Sequence, residues 1–159
     1  MINWIDIYTD GATSGNGTSK ARGGWAYVFY TEGARPVSEY GGEIGTTNNR
    51  MELMAASKGI EAARAIYGEK QDLHIISDSA YLINCYEQKW YRNWELNGWV
   101  NSAKGPVANR DLWEKLIPYF RDSHILFIKV KGHAGNETKD GYYNNLVDKL
   151  AKLGAKSIK

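Results

Sequence analysis

The chain has 159 residues, 43% of them apolar, and no low-complexity tract, which fits a single domain over residues 1–159 with a full core rather than a disordered segment. Its 20 basic and 18 acidic residues leave a formal net charge of +2, so overall charge announces no nucleic-acid partner. Apolar runs are only a few residues long and no basic stretch leads into an apolar one near Met1, so neither a membrane span nor a secretory signal is expected; a lone cysteine, Cys85, agrees with a reducing cytoplasm.

Trp4 to Thr9 alternates, with Ile5, Ile7 and Thr9 on one side and Trp4, Asp6 and Tyr8 on the other, the pattern of a strand with two unlike faces. It is expected to end at Asp10-Gly11. Gly, Ser, Thr and Asn dominate from Gly11 to Gly24, which reads as a turn before two further strands, Trp25 to Tyr30 and Val37 to Ile44. These three strands predict an antiparallel meander. Asn48 or Asn49 then caps a helix reaching about Tyr67, stopped by Gly68 and apolar on two sides. Glu52 falls in its first turn, where the helix dipole favours a carboxylate by ~0.3–1 kcal/mol.

Leu73 to Ser77 is a nearly continuous apolar run of the kind found in the middle of a parallel sheet, and Asp78 is expected to cap a helix through about Tyr86. Helices over Lys89 to Leu96 and Arg110 to Phe120 follow, with a Gly98 to Pro106 loop between them, and Ile125 to Val130 reads as the last strand. A polar loop from Lys131 to Asn145 leads into a final helix with Val147, Leu150, Ala151 and Gly154 on one side. Its lysines Lys149, Lys152, Lys156 and Lys159 are balanced only by Asp148. The fold class is α/β of the mixed α+β kind: a five-stranded sheet, antiparallel meander plus two parallel strands, flanked by helices.

Four acids stand out on this framework. Asp10 and Asp78 each follow an apolar strand, while Glu52 and Asp148 lie on helical faces. With the first and fourth strands side by side in parallel, Asp10 and Asp78 become neighbours about one strand spacing, ~4.8 Å, apart. Ligands in open sheets gather beyond the carboxyl ends of the strands, where both acids lie. Four carboxylates that close repel one another and are tolerable only around cations, and hard oxygen ligands of this kind suit magnesium or manganese. The expected chemistry is phosphoryl.

Placed in this order, Tyr8-Thr9-Asp10-Gly11-Ala12, Thr46-Thr47-Asn48-Asn49-Arg50-Met51-Glu52-Leu53, Ser77-Asp78-Ser79, Lys131-Gly132-His133-Ala134-Gly135 and Val147-Asp148-Lys149-Leu150-Ala151 closely resemble type 1 ribonuclease H, which cuts the RNA strand of an RNA–DNA hybrid. The resemblance covers nearly the whole chain. It implies a ribonuclease H-like fold, Asp10, Glu52, Asp78 and Asp148 as the metal-binding catalytic set, and two Mg2+ ions, replaceable by Mn2+, clamping the scissile phosphate about 4 Å apart. It also implies 5′-phosphate and 3′-hydroxyl products and an enzyme working as a monomer. His133 would assist protonation of the leaving group or product release.

For the substrate, the resemblance implies that Asn16, Asn48 and Asn49 read the 2′-hydroxyls of the RNA strand and that Thr47 and Asn109 grip a phosphate of the DNA strand. On the residues alone, an Asn at a helix start caps it and an Asn among glycines makes a turn, so both possibilities stand. Residues 86–115 resemble the family's substrate-binding handle, with Trp90 packing on deoxyribose and Trp94, Trp99 and Trp113 forming the handle's own small core. Three features depart from the family pattern. The handle's Lys89, Arg92, Lys104, Arg110 and Lys115 are offset by Glu87, Glu95, Asp111 and Glu114; Ala80 follows Asp78-Ser79 where many relatives carry a longer polar side chain; and Asn136 to Asn145 reads as an extended loop able to reposition His133. The competing expectations are another nuclease of the same fold, a junction resolvase or a transposase core, and a silent hybrid- or RNA-binding module.

Overall fold

Ile5 and Ile7 bury one face of the first strand and Tyr8 buries the other, because successive side chains in a strand point to opposite faces and both faces here are covered. The computed structural model describes residues 3–158; Lys159 of the basic tail and the first two residues of the expected domain lie outside them. In chain order the elements are β1 (Trp4–Ser14), β2 (Arg22–Phe29), β3 (Val37–Ile44), α1 (Asn48–Tyr67), β4 (Asp72–Ser77), α2 (Ala80–Gln88), α3 (Trp90–Asn97), α4 (Arg110–Phe120), β5 (Ile125–Lys129) and α5 (Lys139–Lys156). The five strands make one sheet in the order β3-β2-β1-β4-β5. β1, β2 and β3 are antiparallel, and β1, β4 and β5 are parallel, as the sequence predicts.

One face of the sheet carries the larger core, in which Ile5, Ile7, Phe29, Leu53, Ile60, Leu73, Ile75 and Leu116 meet. On the opposite face α5 packs Val147 and Ala151 against Tyr8, Ala26, Val28 and Ile76. Cys85 is buried in α2, and burial pushes its thiol up to about 12, so it is no nucleophile at neutral pH. Trp113 is fully buried within the larger core. Trp94 lies 5.5 Å from it and 5.7 Å from Trp99, ring centre to ring centre. The tryptophans therefore extend the main core rather than building a separate one. No helix among the described residues is long and apolar enough to cross a membrane.

The turn predicted over Gly11 to Gly24 is shorter than its composition suggests, confined to residues 15–21. β1 continues to Ser14 and β2 begins at Arg22, with Gly11 opposite Trp25 and Ser14 opposite Arg22. Gly15 and Gly17, at φ 70° and 81°, make that turn, whereas Gly11 and Gly24 serve close approach. A Cβ on Gly11 would lie 2.6 Å from the backbone of Met51 and Glu52 in α1, and one on Gly24 would lie 1.9 Å from the Ala151 carbonyl oxygen in α5. The two helices press directly on the strand backbones, which only glycine permits.

Helix starts also differ from expectation. Thr47, not Asn48 or Asn49, caps α1, its hydroxyl accepting from Arg50 N–H at 3.1 Å. Glu52 then stands in the second turn, too far in for the dipole to explain it. Ser79 caps α2 through Leu82 N–H at 3.2 Å, so the Asp78 carboxylate is not the cap. Thr138 caps α5 through Gly141 N–H at 3.0 Å, so the helix covers the second half of the expected 136–145 loop. Gly141 masks that start. It is glycine because a Cβ would lie 2.0 Å from the Gly135 carbonyl oxygen of the incoming loop.

Candidate active site

β1 and β4 are in register with Tyr8 opposite Ile76, so two residues further on Asp10, still paired with Ala26 of β2, and Asp78, just beyond the end of β4, stand side by side. α1 lies across β1 and delivers Glu52 to the same place. One oxygen each of Asp10, Glu52 and Asp78 fall within 4.8 Å of one another. The Gly11 backbone N–H locks two of them, donating to Asp10 Oδ1 at 2.9 Å and to Glu52 Oε1 at 2.6 Å.

Asp10 is only 4% exposed. Burial, and then the charge of Asp78, push its carboxyl up to about 8, and Glu52 is raised well above the ordinary range by burial, the Asp10 charge and a hydrogen bond shared with Asp10. Without a cation the trio therefore holds a proton at neutral pH. That is the behaviour of a ligand set built for positive charge, since desolvated carboxylates this close cannot all ionise alone. An all-oxygen set of this kind fits a hard divalent cation.

Asp148, on α5, lines the same open cavity but stands outside the tight trio. Its Oδ2 lies 2.9 Å from Lys152 Nζ one helical turn on, and its charge contributes to the rise at Asp10. The expected convergence of four acids is thus close for three, with the fourth on the rim beside an ammonium group. His133 also lines the cavity, in the left-handed region at φ 56°. Its loop closes tightly on the acids: a Cβ on neighbouring Gly132 would lie 2.9 Å from Asp78 Oδ2.

The residues read as substrate contacts divide. Asn48 lines the cavity; its N–H donates to Asn16 Oδ1 at 2.8 Å and its Oδ1 accepts from the Thr13 hydroxyl at 2.5 Å. Asn16 is joined to the site by that bond. Asn49 is exposed in the first turn of α1, and Thr47 caps that helix. Asn109 sits at the N-cap of α4 with φ 61° and makes no capping bond. Trp90 opens α3, half-buried, its Nε1 donating to Gln88 Oε1 at 2.9 Å and its ring edge-on to Tyr81 and Trp94. Asn16, Asn49, Thr47, Asn109 and Trp90 lie outside the cavity wall.

Two side chains of the site are given no role by the sequence pattern, although Lys152 stands one helical turn after Asp148 in the predicted helix. Asn144, 2% exposed, donates to Asp78 Oδ2 at 3.3 Å and leaves its own Oδ1 without a partner among the described residues, and Lys152 reaches Asp148. They stand four residues before and four after Asp148, on one face of α5. Thr138 as the helix start is the signal that would expose that spacing.

The sequence model of the RNase H family matches residues 3–156. A protein named Ribonuclease H from Syntrophomonas wolfei is 46% identical over 155 residues, covering 97% of each chain, and one of the same name from Symbiobacterium thermophilum is 47% identical over 93% of this chain and 92% of its own. Among solved structures, the PFV RNase H domain in solution superposes with a TM-score of 0.74 at 23% identity, covering 98% of this chain and 96% of that one. A foamy viral protease-reverse transcriptase in complex with an RNA/DNA hybrid superposes with a TM-score of 0.78 at 20% identity; this chain spans 20% of that much longer one. These structural likenesses show the fold, and the family match and the close relatives show more: the chain belongs to the ribonuclease H family.

Proposed function

We infer that this chain is an endoribonuclease that hydrolyses the RNA strand of RNA–DNA hybrids, leaving 5′-phosphate and 3′-hydroxyl ends. The observation that carries the reading is the trio of buried Asp10 and partly buried Glu52 and Asp78, with oxygens within 4.8 Å, on the fold of a family whose close relatives are named Ribonuclease H. Asp10, Glu52 and Asp78 would hold the first ion, and Asp148, released from Lys152, would complete the site for a second. When bound, divalent ions, Mg2+ or Mn2+, supply an acidified water and neutralisation of charge on the phosphate.

The chain's own residues do the rest. Gly11 N–H fixes the Asp10 and Glu52 carboxylates before any ligand arrives, so little reorganisation remains at reaction. Asn144 holds Asp78 from behind. His133, in its glycine-flanked loop at the cavity, carries a proton to the departing 3′ oxygen. Asn48, Asn49 and Asn16 present amide groups to the 2′-hydroxyl, the one group that separates RNA from DNA in the same duplex. Thr47 and Asn109 grip a DNA-strand phosphate, and Trp90, in the handle over residues 86–115, packs against deoxyribose. We read residues 1–159 as one ribonuclease H domain acting as a monomer in the cytoplasm.

A hybrid labelled on its RNA strand, incubated with the protein and Mg2+ beside a branched DNA of equal length, separates the alternatives. RNA-strand cleavage with 5′-phosphate products and intact branched DNA is expected. Cleavage of the branch alone would assign a resolvase-like activity, and binding without cleavage of either would leave a hybrid-binding module.

A further inference from the structure

We propose that Arg50 and Asp111 form a strut that sets the spacing between Thr47 and Asn109, and through it the grip on the DNA-strand phosphate; the inference rests on the reading of those two residues given above. The Arg50 guanidinium is held from both sides. Nε donates to Glu43 Oε1 of β3 at 2.8 Å, while Nη1 and Nη2 donate to Asp111 Oδ1 and Oδ2 of α4 at 3.0 and 2.9 Å. The pair with Asp111 is bidentate, two parallel bonds that a planar guanidinium makes and an ammonium group does not. It therefore fixes orientation as well as distance between the starts of α1 and α4.

Each end of the strut leads to a side chain with an uncommitted donor. Arg50 N–H donates to the Thr47 hydroxyl at 3.1 Å, so the hydroxyl accepts from the protein and keeps its own proton for a ligand. Two residues before Asp111, Asn109 stands at the N-cap of α4 with φ 61° and no capping bond; its amide donates only to the Tyr81 hydroxyl, at 3.4 Å, which is long for a hydrogen bond. An asparagine at a helix start ordinarily caps it, and this one is left available for another partner. Arg50 commits three of its five N–H donors, and its charge, to two carboxylates, which assigns it to positioning rather than to the phosphate. It is a positioning residue. Nor is the pair explained as a stabiliser: the Asp111 side chain is 62% exposed, and ion pairs that open to water contribute little.

The test walks a single methylphosphonate along the DNA strand of a short hybrid and measures binding in EDTA, where no cleavage intervenes. Wild-type protein is expected to lose about tenfold in affinity at one position, where the neutral group replaces the gripped phosphate. Asp111→Asn should bind the unmodified hybrid about fivefold more weakly and lose less than about twofold more at that position, because partners acting as one unit are not additive. With Mg2+ its KM should rise by a similar factor while kcat stays within about twofold. Arg50→Lys, which keeps the charge and loses the fork, should behave as Asp111→Asn does. If Asp111→Asn binds as wild type, or its loss adds in full to that of the methylphosphonate, the strut is overturned and the phosphate reading stands. If wild type is indifferent to methylphosphonates at every position, the reading of Thr47 and Asn109 fails and the strut with it.

Discussion

Gly11 N–H donates to Glu52 Oε1 at 2.6 Å, binding the acid of α1 to the strand that carries Asp10. Two carboxylates on different elements thus share one backbone donor, and the space for that bond exists only because residue 11 lacks a side chain.

Gly11→Ala should therefore damage stability and activity together. The added methyl would lie 2.6 Å from the backbone of Met51 and Glu52, forcing α1 away from β1. Overpacking of this kind costs about 1–3 kcal/mol. Urea unfolding should show the lower midpoint, and hybrid cleavage should fall at least about tenfold as Glu52 shifts.

The acid trio makes the metal-free protein sensitive to pH in an unusual direction. Asp10 is raised from 3.8 to about 8 by burial and the Asp78 charge. The folded state therefore binds more protons than the unfolded chain between those values, and its contribution to stability is full below about 4 and is lost as pH rises through 8. In EDTA the melting temperature should fall from pH 5.5 to pH 8.5, and Asp10→Asn should flatten the fall and melt at least ~3 °C higher at pH 8.5, equivalent to about 1 kcal/mol in a chain of this size. Mg2+ should oppose the fall, with proton release on binding visible by calorimetry in buffers of different ionisation heat.

Much of this site is legible in the amino-acid sequence. Asp10 and Asp78 are readable because each follows an apolar run, and parallel pairing of those runs forces them together, although β1 itself continues past Asp10 to Ser14. Glu52 falls on the right helix, but not for the reason its position suggests: the capping residue is Thr47, so the carboxylate answers to Gly11 N–H and not to the dipole. The glycine-rich stretch misleads because glycine has two uses, and local sequence does not reveal a helix pressing on a strand from across the fold. Asn144 is hidden by the unobvious start of α5, since helical spacing means nothing in a segment that reads as loop, whereas Lys152 stands one turn after Asp148 in the helix the sequence already predicts.

His133→Ala should slow turnover about 100-fold, the usual scale of a lost proton carrier, yet leave measurable cleavage because the acids remain. Single-turnover assays with hybrid at saturation would separate a slower chemical step from slower product release. Complete loss of activity would mean that His133 has a more central task.

Hybrid binding should depend only weakly on salt. In the handle Lys89, Arg92, Lys104, Arg110 and Lys115 are nearly matched in number by Glu87, Glu95, Asp111 and Glu114, and Arg110 pairs with Glu114, so the net positive charge offered to phosphates there is small. The slope of log binding constant against log salt should be shallower than about −3, corresponding to some three neutralised phosphates at ~0.9 each. A steep slope would show that basic residues outside this balanced set carry the affinity.

Asp10, Glu52, Asp78 and Asp148, in the function proposed here, converge to hold the cations that cut the RNA strand. Asp10→Asn keeps the shape of the side chain and removes its charge, so the most direct measurement compares this variant with wild type on an RNA-labelled hybrid, with and without Mg2+, scoring binding and cleavage separately. The variant should bind hybrid as tightly as wild type and fail to cut it, while wild type cuts only with the metal. Undiminished cleavage by Asp10→Asn, or cleavage by wild type in EDTA, would contradict the account.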